Sequence, residues 1–111
     1  MRMWMVDPKI MCRKHLLGEH VETHMLVGAL KKKKNLVGYL TTNTFEPESL
    51  KARHDQLAEE LVRRGYNHKS PMESIDELIS YLGEMKRTKI NRDNSLRDLL
   101  NRCSECRGRT L

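Results

Sequence analysis

The sequence predicts an all-α domain, and three observations carry that expectation. Apolar residues recur at helical spacing in several separate segments. Capping residues at the starts and glycine at the ends bound those segments. The one stretch that could alternate as a strand, Leu36 to Asn43, has nothing to pair with. The 111 residues are 38% apolar, which permits one modest core. The expectation is a compact single domain of about four helices over residues 1–106, with a flexible tail over 107–111.

The first helix starts after Pro8 and runs to about Lys33. Leu16, Leu17, Val21, Leu26, Val27 and Leu30 spread around much of its circumference, which suits a central helix. The second runs from about Pro47 to Arg64. Leu50, Leu57, Ala58, Leu61 and Val62 form its stripe, with His54 on the same face. Pro47 fits a first turn and Gly65 a stop, with Arg63 and Arg64 at the negative end of the dipole. The third has a capping box: Ser70, Pro71 and Glu73 precede the stripe Met72, Ile75, Leu78, Ile79 and Leu82, and Gly83 ends it. The segment from Glu84 to Asp93 is polar and basic and reads as a loop. The fourth helix starts near Asn94 or Ser95 and carries Leu96, Leu99, Leu100 and Cys103.

Charge narrows the partners. There are 21 Lys+Arg against 15 Asp+Glu, a formal +6. The positive charge is clustered at Lys31, Lys32, Lys33 and Lys34, at Arg63 and Arg64, and through Lys86, Arg87, Lys89 and Arg92. Clustering favours nucleic acid over a membrane surface, because no basic amphipathic helix has an aromatic face. No apolar run approaches the roughly 18 residues that span a bilayer, and no export leader is evident. Three cysteines, an odd and sparse number, argue against a disulfide scaffold and for an intracellular, cytoplasmic setting.

The densest chemistry lies in the first helix, at His15, Glu19, His20, Glu22 and His24. The order His20-Val21-Glu22-Thr23-His24 is not the zinc-peptidase motif, which needs its carboxylate directly after the first histidine; here Glu22 turns away from both. His20 and His24, with His54 or His68, have the spacing to bind a metal, but hydrogen-bonded helix histidines are the simpler reading. Cys103 and Cys106 make half a zinc site that Cys12 or a histidine could complete; packed thiols are preferred, so no metal and no cofactor is assigned. The lysine run is read either as a solvated helix end or as a phosphate contact. His54 is a core histidine, or a pocket residue if the first two helices face each other. P-loop, Rossmann and Gly-x-Ser-x-Gly patterns are absent. Spacing alone leads to a basic helical domain, nucleic-acid binding or enzymatic.

Two blocks carry a resemblance. Lys14-His15-Leu16-Leu17-Gly18-Glu19-His20-Val21-Glu22, followed by Gly28-Ala29-Leu30-Lys31-Lys32, resembles the phage endonuclease V family of pyrimidine-dimer DNA glycosylases. Leu50, Arg53, Leu57, Glu60, Arg64, Gly65 and Asn67, with Tyr66 for a phenylalanine, are similar to that family's second helix, and Met1-Arg2 falls at its mature start. The resemblance covers roughly the first two thirds of the chain. It implies a helical enzyme with its N-terminal segment threaded into the active site. It also implies removal of the base at a pyrimidine dimer in double-stranded DNA, followed by abasic-site cleavage through a Schiff base. By resemblance the nucleophile is the Met1 α-amine and the essential carboxylate is Glu22. Arg2, His15, Lys31, Lys32, Lys33 and Lys34 are the expected DNA-binding residues, with His20, His24 and His54 as possible pocket residues and Arg53 and Arg64 pairing with acids across helices. Two family arginines are replaced by Val21 and Met25, and the family's C-terminal aromatic-basic stretch has no counterpart. An α-amine ordinarily titrates at about 7.7–8.0, against about 10.4 for lysine, so a useful fraction is nucleophilic near neutrality. A monomer is expected. The alternatives are a non-enzymatic nucleic-acid-binding protein and a small Cys/His zinc-binding module.

Overall fold

Helices α1 (Arg13–Lys31), α2 (Val37–Thr41), α3 (Leu50–Arg63), α4 (Arg92–Arg102) and α5 (Ser104–Arg109) build the molecule, joined by short 3-10 turns. The computed structural model describes residues 1–68 and 70–110, and no strand occurs among them. None of its helices is long and apolar enough to cross a membrane. The chain is therefore all-α, as its periodicity predicts.

Local chemistry explains most boundaries. Asp7 caps a 3-10 turn over Pro8–Ile10, accepting from the Lys9 amide, and α1 begins only after Cys12, whose sulfur accepts from the His15 amide. At the far end Lys33 takes a φ of +50°, which stops the helix. Pro47 opens a 3-10 turn that leads into α3, and Gly65, at φ +93°, follows α3 as expected. Asn91 caps α4 by accepting from the Asn94 amide, so this helix starts before the predicted Asn94 or Ser95. The stretch from Leu36 is the short helix α2 rather than a strand. Helix α5 extends through Arg109, where a flexible tail was expected from residue 107; Leu111 lies outside the described residues.

The predicted third helix is the main correction. Residues 71–75 are irregular, 76–79 turn, and a 3-10 stretch follows over Ser80–Arg87, interrupted at Gly83 (φ 61°, ψ −137°). Met72, Ile75 and Ile79 are nonetheless buried. The connection back from α3 satisfies their burial without a helix, and the Ser70 carbonyl accepts from His54 instead of opening a helical ladder. Tertiary contacts outweigh a strong local start signal here.

Two apolar clusters form the core. One gathers Met3, Leu26, Leu30, Phe45, Leu50 and Ile79, and the other Trp4, Val6, Met11, Leu16, Leu57 and Leu99. The first residues run between them: Met3 enters one cluster and Trp4 the other. Helix α1 packs against α3, and this pair forms the frame on which the chain start lies.

Candidate active site

The chain start is held from several sides. The Arg2 amide donates to Glu22 Oε2 at 3.2 Å, bringing residues twenty apart in sequence together. The Arg2 guanidinium donates to Asp98 of α4 at 2.6 Å and lies 3.8 Å from the centre of the Trp4 ring. The Met3 amide donates to the Thr44 carbonyl at 2.8 Å, and the Ser95 hydroxyl donates to the Trp4 carbonyl. Met1 is half-buried and packs against the Met3 cluster. The backbone next to the α-amine is therefore seated beside the Glu22 carboxylate. A polar hollow of about 320 Å³ opens next to it, lined by Arg2, Thr44, Asn94 and Asp98. Glu22 does not line that hollow, and sequence reading missed its threonine and asparagines, which carry no motif.

An internal ion pair keeps α1 and α3 in register under this seat. Arg53 reaches across with two parallel bonds to Glu19, at 2.6 and 2.9 Å, and donates to the Val6 carbonyl at 2.6 Å. Both side chains are essentially fully buried. The fork geometry and the extra carbonyl satisfy a charge pair that would otherwise be costly to desolvate. Arg64 pairs within its own helix with Glu60, not across helices, and donates to the carbonyls of Pro8 and Met11. Its Arg63 and Arg64 partners hold the Glu60 carboxyl well below its usual range, at about 2. Arg53 and Arg64 thus brace the segment that leads the chain start inward.

The remaining expected residues separate into three places. Lys31, Lys32, Lys33 and Lys34 are all exposed at the end of α1 and make no ion pair among the described residues. Lys31 also borders a cavity of about 800 Å³ between α1 and residues 71–78, where His24 contributes as well. Val21 and Met25 are more than half exposed, an apolar pair next to Glu22 on α1. Arg2 is occupied by Asp98 and Trp4 rather than extended toward solvent.

His20, His24, His54 and His68 form one group, with a ring nitrogen of each within 4.8 Å of the others. His20 Nε2 is 2.9 Å from His68 Nε2. Both ring nitrogens of His54 have protein partners, the Asp55 carboxylate at 2.9 Å and the Ser70 carbonyl at 3.0 Å. Burial, and then the neighbouring imidazoles His54, His24 and His68, lower the His20 pKa to about 4. Burial likewise lowers that of His24. His15 stands apart, against Cys12, Cys103 and Cys106, with donor atoms again within 4.8 Å. Its ring meets Trp4 edge-on at 5.7 Å. The expectation that His15 faces DNA did not anticipate this sulfur-rich setting.

The chain is a small all-α domain whose start packs inward against Glu22 of its longest helix. The family model described as pyrimidine dimer DNA glycosylase matches residues 1–74, and the chain belongs to this family of DNA repair enzymes. No curated protein and no solved structure matches it significantly. The matched span contains Met1, Glu22, the lysine run and the Glu19–Arg53 pair. It ends before α4 and α5, so Cys103 and Cys106 lie outside it.

Proposed function

We propose that this glycosylase is bifunctional: the Met1 α-amine displaces the damaged base and then cleaves the strand beside the abasic sugar. The observation that carries the reading is the bond from the Arg2 amide to Glu22 Oε2, which seats the residue after the amine at a carboxylate. The neutral amine donates its lone pair to the sugar C1′ as the C1′–base bond breaks and its electrons leave with the base. Opening of the ring puts a proton on the ring oxygen, and loss of an N–H proton completes the imine. The imine acidifies C2′; removal of that proton forms the C2′–C3′ double bond and expels the 3′ phosphate. Glu22 stabilises the positive charge that develops on the sugar and relays these protons. The damaged nucleotide leaves the stack to reach the amine, which needs no sequence readout.

Borohydride trapping on dimer-containing and abasic duplexes tests this. The wild-type chain is expected to form a covalent adduct, and a chain with its α-amine blocked to form none. Trapping that persists after blocking would transfer the nucleophile to a lysine. Glu22→Gln should bind DNA like wild type while nicking falls by about 100-fold or more; equal loss of both would make Glu22 structural. Replacing Lys31 and Lys32 together with Ala should lower the slope of log affinity against log salt by about 1.8, at about 0.9 per phosphate contact. An unchanged slope would remove them from the interface.

A further inference from the structure

We propose that Cys12, His15, Cys103 and Cys106 form a structural zinc site that ties the two ends of the chain together. The spacing is Cys-x-x-His in the first segment and Cys-x-x-Cys in the last. Each pair occupies the same positions of a helix start. Cys12 caps α1 and His15 is its third residue; Cys103 caps α5 and Cys106 is its third residue. Two helix N-termini therefore present two donors each to one point. The amides there donate to sulfur: His15 to Cys12, Cys106 to Cys103, and Cys12 to Cys106 at 3.2 Å. Three backbone amides are thus aimed at the sulfurs, the arrangement that hydrogen-bonds a ligating sulfur.

Three of the six donor–donor distances lie near those of a metal tetrahedron, and all six are within 4.8 Å. Zinc–sulfur bonds of about 2.3 Å and zinc–nitrogen bonds of about 2.0–2.1 Å put thiolates about 3.8 Å apart and a thiolate about 3.5 Å from an imidazole nitrogen. The Cys12 and Cys103 sulfurs are 3.7 Å apart, and His15 Nδ1 lies 3.2 Å from Cys12 Sγ and 3.7 Å from Cys106 Sγ. The Cys12 and Cys103 sulfurs are not bonded to each other, and all three cysteines are free. Three soft thiolates and one imidazole with no open position suit zinc in a structural role. Binding releases the thiol protons and converts ligand affinity into folding free energy.

Such a cross-link would act on the chain start through packing. His15 meets Trp4, Trp4 lies under Arg2, and Arg2 follows Met1. The consequence for the amine rests on the function proposed above, but the site itself does not, and its test reads metal and not catalysis.

The untagged full-length chain, purified without added chelator, is analysed for zinc and then reconstituted with cobalt. One zinc per chain is expected, with tetrahedral visible bands and a near-ultraviolet thiolate-to-cobalt charge-transfer band. Cys103→Ser, at a half-buried position, should fold and lose both the retained metal and most of the charge-transfer intensity. His68→Asn should change neither. Wild-type chain that retains no zinc, or binds cobalt with no thiolate band, overturns the site. So does metal that disappears in His68→Asn and survives in Cys103→Ser.

Discussion

Helix α1 carries two groups of potential metal donors a little over one turn apart, and they differ in what their lone pairs already do. At its start, Cys12 and His15 meet Cys103 and Cys106 with backbone amides pointing at the sulfurs. In its middle, His20 and His24 meet His54 and His68, yet His54 is engaged on both nitrogens, and burial with neighbouring imidazoles lowers the basicity of His20 and His24. Both groups satisfy the same proximity criterion. Proximity of four donors therefore does not define a metal centre. The backbone around the donors, their softness and the partners they already have separate the sulfur-rich group from the nest of imidazoles.

Glu19 lies between His15 and His20 on α1, and its buried pair with Arg53 ties α1 to α3, so breaking it is the largest expected perturbation. Arg53→Ala leaves Glu19 buried without its partner and should cost about 3–5 kcal/mol in chemical denaturation. A loss below about 1 kcal/mol would mean the pair is dispensable and the two groups are positioned by apolar packing. The next effect is specific to the thiolate group. A strong chelator should lower the melting temperature of the wild-type chain by about 10 °C or more, since each kcal/mol is worth about 4–8 °C in a domain of this size. It should leave Cys103→Ser unmoved. Equal sensitivity in both proteins would end the contrast.

The smallest effect belongs to the imidazoles. The folded-state pKa values of His20 and His24 lie below the ordinary 6.5, with His20 at about 4. The unfolded chain therefore binds more protons between these values. The contribution is fully present above pH about 6.5 and is lost as pH falls toward 4, amounting to about 1 kcal/mol once solvent screening is included. Denaturation of the chelator-treated chain across that window should show the slope, and His20→Gln should flatten it. A slope unchanged in His20→Gln would assign the titration to other groups.

Legibility followed the range of the forces. The stripe of α3, its Pro47 start and its Gly65 end were readable because they depend on neighbours a turn away. The lysine run was readable as an exposed charged helix end for the same reason. The helix expected after Ser70 failed because Met72, Ile75 and Ile79 are buried by partners from α1, α2 and α3 that no local window contains. Cys103-x-x-Cys106 was legible as half a zinc site, but its partner pair, Cys12 and His15, starts ninety-one residues away from Cys103. A second Cys-x-x-ligand spacing at the other end of the chain was the available signal.

The sequence by itself determined that the chain is helical and basic, and its ordered residues around Glu19, Glu22, Arg53 and Arg64 carried the family. These are properties of local periodicity, composition and motif order. Only the tertiary structure decided that the Arg2 amide reaches Glu22, that Arg53 serves Glu19, and that three sulfurs and an imidazole converge. Each of those joins residues far apart in sequence, and a directional bond between them exists only after the apolar faces of the helices and the chain start have packed.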